Sequence, residues 1–551
     1  MKYKKLLEII RIGLNNYIRR NFSIKATSSI NCILFTLTLI LIVIISNFQL
    51  IADSQIDNNK HFNSSVDEFI DSNFIIPKTV YWDGGLNNVS DDSTDKAYDV
   101  TIDIDGNLLI TGLSFHLNYS KLPILKFNSD GILIWNKSIP SIDLIDVGEG
   151  ITSDSTGSIY LTGYADSYSD DAWLWKFSSD GEMLWNNTFG GDRNQDAEDL
   201  ALDSQGNIII VGDTDAYYAS YKQQCFICKF DITGQQLWNQ TFGFPNWDEA
   251  FAVTVDKLDN YYLTGRSMQN NQWDAFIYKF SSKGELLWNR LIEWKEHNSG
   301  WGITLSKDED YLFIAGDAYD SSKNIWYSYI SKISTKSGRV KWERTWSGLG
   351  FAAANALTLD SNGDLLVVGD TENLTSGNSV DVFLCKYSQK DGKLIWSYIW
   401  KGDDLDRCFG VAERHSETEG EHIYLVGETS SFGLSMTDIL LLIIDDSDFD
   451  SLTDEWEIIN GLNPYSADSD NDDLSDYLEV AVYETDPLNP DTDSDGWTDG
   501  IEVAWGTNPL NPKSTPKRRK IILSVSLTLP LISGSIATFT IIRKRKSRLR
   551  K

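Results

Sequence analysis

The sequence predicts an all-β architecture: a seven-bladed β-propeller leading into a stalk of acidic loop repeats, with a transmembrane helix on either side. Three observations carry this. A short apolar strand ending in glycine recurs seven times at roughly fifty-residue spacing, as GNLLITG (106–112), GSIYLTG (157–163), GNIIIVG (206–212), DNYYLTG (259–265), DYLFIAG (310–316), GDLLVVG (363–369) and EHIYLVG (421–427). The first six copies are each followed by a segment closing on tryptophan: DGILIW, DGEMLW, TGQQLW, KGELLW, SGRVKW and DGKLIW, with Trp135, Trp185, Trp238, Trp288, Trp342 and Trp396. Uncharged apolar runs at 26–52 and 521–542 bracket the repeats, each long enough to cross a bilayer as a helix.

Residues 1–25 form a basic tail, with seven Lys or Arg against the single Glu8, and residues 543–551 form another, RKRKSRLRK. The positive-inside bias places both tails in the cytoplasm and the body between the spans outside the cell, against the opposing pull of PKRRK at 516–520. A cleaved signal peptide is the alternative for 26–52. The long basic leader, the length of the apolar run and the lack of an A-x-A site favour an uncleaved anchor. A linker (53–77) follows the first span, and a basic linker (513–520) precedes the second. Residues 1–52 carry +6 and 513–551 carry +12, so the chain total of -32 leaves -50 on 53–512. A charge of that sign excludes nucleic acid as a partner, because phosphate backbones require basic patches.

Residues 78–445 hold the propeller. Each unit of about fifty residues offers four short strands, the size of one blade. The innermost is rich in small residues, as in DAEDLALD, and suits the crowded centre of a radial array. The second is almost continuously apolar, as expected where both faces are covered. The turn between them, Asp203-Ser-Gln-Gly206, puts Gly where φ must be positive. The seventh unit ends after its third strand, DILLLIID, while KTVYWDG (78–84) supplies an orphan tryptophan strand before the first unit. Joining the two closes the ring and removes an exposed edge. The pattern D-x-x-G-N-[IL]-x-[IV]-[TV]-G followed by D-G-x-x-L-W resembles the secreted prokaryotic β-propeller repeats. That resemblance implies the fold and little about activity.

Residues 446–512 contain 19 Asp or Glu and no Lys or Arg. In DTDSDGWTDGIE the carboxylates of Asp491, Asp493, Asp495, Asp499 and Glu502 fall at positions 1, 3, 5, 9 and 12 with Gly496 at 6, the ligand spacing of a calcium loop. The spacing recurs at Asp468, Asp470, Asp472, Asp476 and Glu479, and at Asp446, Asp448, Asp450, Asp454 and Glu457. The 10 or 11 residues between loops are too few for a pair of EF-hand helices. With the spacer TDPLNP, the unit resembles thrombospondin type 3 calcium repeats. The resemblance implies calcium at these five carboxylates per loop and at the backbone of Leu452, Leu474 and Trp497. Position 6 departs from Gly at Ser451 and Asp473, which makes the third loop the best match and the first the poorest. Bound ions are expected to convert a self-repelling segment into a stiff spacer.

No catalytic constellation is evident. The five histidines share no ligand spacing, SSDGEMLW misses the sialidase Asp-box because Asp180 and Gly181 are adjacent, and Cys225 and Cys228 lie on opposite faces of a strand. Asp95, Asp99, Asp196, Asp199 and Asp248 precede or open inner strands and form a candidate acidic ring at one channel mouth. The layout points to a surface protein for adhesion or recognition of an extracellular protein or glycan. A surface hydrolase or quinone-type enzyme and a structural envelope component are the alternatives.

Overall fold

The computed structural model describes residues 78–82 and 93–516, apart from 117–118, 141–144, 167–170, 190–194, 217–221, 293, 295, 349, 373–378, 403, 417–419, 432–435 and 449. All of them belong to one compact unit, Glu68–Lys551. The two predicted membrane spans at 26–52 and 521–542, the tails and the 53–77 linker lie outside the described residues. Among the described residues no helix is long and apolar enough to cross a membrane.

Seven antiparallel sheets form the blades, each meandering outward from its first strand. Blades 1 to 6 run from Ser93 to Pro140, Ile145 to Phe189, Gln195 to Phe242, Asp248 to Ile292, His297 to Trp346 and Phe351 to Trp400. Blade 7 takes three strands from Asp406–Ser416, Gly420–Thr429 and Asp438–Asp446, and its fourth is Lys78–Trp82, in register from Lys78↔Ile443 to Trp82↔Ile439. The orphan strand of the sequence is therefore the strand that closes the ring.

The second strands are buried on both faces; Ile208, Ile209, Ile210 and Val211 are fully inaccessible. Each such side chain contributes about 1.5–3 kcal/mol, so the inter-blade clusters dominate stability. The recurring glycine lies inside each second strand, which continues past it, and has a separate cause. A Cβ on Gly212 would sit 1.9 Å from the Asp196 carbonyl oxygen, and one on Gly427 1.8 Å from that of Arg407. At this point the inner strand carries a β-bulge, between Ala197 and Asp199 or Cys408 and Gly410, which pushes its backbone against the neighbour.

In blades 1, 3, 5 and 6 a lysine on the third strand reaches the next element. Lys126, Lys229 and Lys386 form buried ion pairs with Asp103, Asp203 and Asp360 at 2.7, 2.8 and 2.7 Å. The same ammonium groups donate to a turn carbonyl of the next element, Ser179, Ser282 and Ser451, at 3.3, 3.4 and 2.8 Å; Lys332 reaches Gln389 at 2.7 Å. Burial opposes ionisation of Asp103 and Asp203, but the hydrogen bonds from Lys126 and Lys229, added to those from Asn107 and Asn207, together outweigh it and hold both carboxyls below their ordinary range.

The Lys386–Asp360 side chains are 1% and 0% exposed, so Lys386→Met strands a buried carboxylate. A loss of about 3–5 kcal/mol in chemical denaturation is expected, and Lys386→Met combined with Asp360→Asn should cost less than the single change.

Candidate metal centres

Each acidic loop is a turn wrapped around three carboxylates and closed by a short helix: α1 (Asp454–Asn460), α2 (Asp476–Leu478, continuing as a π-turn over Glu479–Tyr483) and α3 (Asp499–Trp505). These helices are absent from the all-β expectation. Seven residues or fewer of helix hold because hydroxyls cap them: Thr453, Ser475 and Thr498 accept from Trp456, Leu478 and Ile501.

In each loop the first, third and fifth positions converge. One carboxylate oxygen from each of Asp446, Asp448 and Asp450 lies within 4.8 Å of the others, and the same holds for Asp468, Asp470 and Asp472 and for Asp491, Asp493 and Asp495. Oxygens each about 2.4 Å from one calcium ion are at most about 4.8 Å apart, so the spacing fits that ion. The glutamates at position 12, Glu457, Glu479 and Glu502, are fully buried. Both carboxylate oxygens of Glu457 and Glu502 and one of Glu479 have no partner among the described residues. An uncompensated buried carboxylate is costly, and a hard cation is the partner this donor set suits.

The ninth position is used differently. Asp454 accepts from the Ser447 amide and hydroxyl at 2.7 and 2.6 Å, Asp476 from those of Ser469 at 2.9 and 2.7 Å, and Asp499 from the Thr492 amide at 3.2 Å. These three carboxylates brace the start of their own loops. At position 7 the Leu452, Leu474 and Trp497 amides donate to Asp450, Asp472 and Asp495 at 2.8, 2.8 and 3.0 Å, curling the backbone round the triad.

All three residues at position 6 adopt a left-handed φ: Ser451 at 77°, Asp473 at 72° and Gly496 at 94°. Their amides reach the first carboxylate equally well, at 2.8, 3.0 and 2.8 Å. The two departures from Gly therefore leave the loop intact. Ser451 has a reason for its strain: its carbonyl accepts from Lys386 and from Trp396 Nε1 at 3.3 Å, and its hydroxyl meets Asn362. The first loop is thus docked on blade 6. Leu452 and Leu462 join the core with Trp396, Trp400 and Leu442, and Trp456, Tyr477, Val480 and Ala481 pack alongside. Tyr477 donates to Asp364 at 2.5 Å, and Glu484 pairs with Lys393 at 2.7 Å. The expected spacer is folded back on the propeller through its second repeat.

The candidate acidic ring is assembled in part: burial, then Asp99, raises Asp199, and Asp196 and Asp99 lie near Glu149. Asp99 accepts from Val100 and from Ile151 of the next blade, both at 2.8 Å, and Asp199 from Leu200 and Val253 at 2.6 and 2.8 Å. These are clamps between blades. Asp95 and Asp248 are fully buried. Sequence reasoning missed Glu149 and Glu198, the extra residues of two inner-strand bulges. Burial, then Asp196 and Asp99, push Glu149 up to about 8, and burial, then Glu149, raises Glu198. Other bulge residues form aromatic pairs, Tyr98 with Phe409 and Phe251 stacked on Trp301 at 4.1 Å. A bulge is invisible in a single sequence unless the paired strand is known. The described cysteines are free and buried; Cys225 and Cys228 occupy different inter-blade clusters, as do Cys385 and Cys408.

Fold and loops together define a class: a closed propeller carrying acidic loop repeats whose carboxylates could hold a metal ion. Residues 468–490 and 491–512 match the family described as bacterial TSP3 repeat, and 274–439 match that described as outer membrane protein assembly factor BamB. The chain carries thrombospondin type 3 repeats behind a propeller of BamB type, the build of an extracellular or surface protein. The first loop lies outside both matches. No curated protein matches the chain. Among solved structures, the WD40 domain of Neurospora crassa Pan2 aligns at 11% identity over 64% of this chain and 96% of its own, with a TM-score of 0.39.

Without a cation, burial and then the neighbouring carboxylates push Glu457 up to about 10, Asp446 and Glu479 to about 8, and Asp470 to about 7. Metal uptake must displace those protons. Calcium affinity is therefore expected to rise from pH 5 to pH 8 with proton release, read as a buffer-dependent calorimetric heat. Glu457→Gln should weaken binding at one loop and leave the other two unchanged.

Proposed function

We propose that this is a membrane-anchored cell-surface protein whose propeller recognises an extracellular protein or glycan, with calcium in its three loops fixing the repeats. The observation that carries the reading is the union of a propeller with bacterial TSP3 repeats in one chain. The predicted spans at 26–52 and 521–542 would hold the propeller outside the cell with both termini cytoplasmic. The charge of the body speaks against nucleic acid. Aromatic pairs on the inner segments of the blades, Tyr98 with Phe409 and Phe251 with Trp301, offer apolar rings of the kind that sugars and peptides use.

A second reading, an enzyme acting near the propeller axis, is favoured by one observation. Burial, Asp196 and Asp99 push Glu149 up to about 8, and burial, then Glu149, in turn raises Glu198; a carboxyl at about 8 can exchange a proton near neutral pH.

Labelled residues 78–512 are expected to bind intact cells of the same strain in millimolar calcium and to bind less after chelation. Equal or absent binding in both conditions would remove adhesion. Loss of a substrate-turnover signal in Glu149→Gln with cell binding intact would support the enzyme instead.

A further inference from the structure

We propose that the loop at 446–457 is a cation site of the propeller itself, and that an ion there latches blade 7 onto blade 6. The proposal rests on the reading that these loops bind calcium. Blade 7 has no hairpin of its own after its third strand, since its fourth strand comes from the other end of the body. In blades 1, 3 and 5 the reaching lysine ends on the carbonyl of such a hairpin, at Ser179, Ser282 and Gln389. In blade 6 the lysine ends on Ser451, inside the acidic loop. Tryptophan follows the same substitution: Trp288 Nε1 donates to Thr335 of the next blade at 3.2 Å, and Trp396 Nε1 donates to Ser451. The loop occupies the place of the missing hairpin.

Its attachment to blade 7 is immediate. Asp446 is both the last residue of the strand Asp438–Asp446 and the first carboxylate of the loop. Asp446 pairs with Glu421, whose carboxylate accepts from the Ser361 amide of blade 6 at 2.9 Å. Four carboxylates, Asp446, Asp448, Asp450 and Glu457, thus crowd the seam, and Glu457 is fully buried with neither oxygen partnered among the described residues. Like charges at that density repel unless a cation sits among them. An ordinary hairpin turn needs no ion, so the joint between blades 6 and 7 depends on calcium while those made by hairpins do not.

Buried thiols report the seam. Cys408 shares a core cluster with Leu452 and Leu462, whereas Cys225 and Cys228 lie in blade 3. The test is thiol labelling of the full-length chain, resolved by peptide mass spectrometry, with calorimetry run in parallel. If such loops bind at about 0.1–1 mM, roughly 10 mM calcium should slow Cys408 labelling about 10- to 100-fold relative to chelator, with Cys225 and Cys228 little changed. Asp448→Asn with Asp450→Asn should abolish that calcium dependence, while Asp493→Asn with Asp495→Asn should retain it. Calcium binding with no protection of Cys408, or equal protection of all three thiols, would overturn the latch and leave the calcium reading standing. No calcium heat at all would overturn both. If the first-loop variant fails to fold, the calcium and chelator arms of the unmodified chain still decide.

Discussion

In blades 1, 3 and 6 a lysine forms a buried ion pair within its own blade and then donates to a carbonyl of the next element, and this is the directional constraint on which those joints depend. Burying an ammonium or a carboxylate alone is prohibitive, so Lys386 and Asp360 are tolerated only together and only with the remaining donors satisfied. The spare donor goes across the blade boundary to Ser451. Apolar burial supplies most of the stability of each sheet, but it is non-directional. The lysine contact is directional, and at two boundaries a tryptophan Nε1 donates beside it or in its place, from Trp288 to Thr335 and from Trp396 to Ser451.

That constraint explains why the acidic repeats are not a free-standing stalk. A propeller closed by its N-terminal strand leaves the last blade without a hairpin, and the lysine and tryptophan of blade 6 still require a carbonyl. The first loop supplies it through Ser451, at the expense of a left-handed φ on a non-glycine residue. The second repeat then lies against blade 6 through Tyr477 and Glu484, and the third continues from it.

The two halves of the described unit respond to protons with opposite sign. Asp103 and Asp203 are held below their ordinary range, so their stabilisation is complete above about pH 4 and fades as pH falls through their folded values. Glu457, Asp446 and Glu479 are held far above it, so without an ion their burial destabilises the fold at neutral pH and acidification relieves it. A divalent cation removes the conflict by taking the place of the protons. Both sets of carboxylates are then ionised under one condition.

By itself the sequence determined the blade count, the strand that closes the ring, the order of the segments and the positions of the three acidic triads. These are legible because each rests on a local rule: a period of about fifty residues, a glycine-ended apolar strand, or carboxylates on alternate residues. The tertiary structure decided what depends on pairing between distant segments. It turned Asp99 and Asp199 from candidate channel ligands into clamps on the adjacent blades, because a bulge sets which way an inner-strand carboxylate points. It set Asp454, Asp476 and Asp499 to accept from the nearby Ser447, Ser469 and Thr492 amides, hydrogen bonds that brace the start of each loop. It also seated Ser451 under Lys386, a contact between residues 65 apart that no spacing rule encodes.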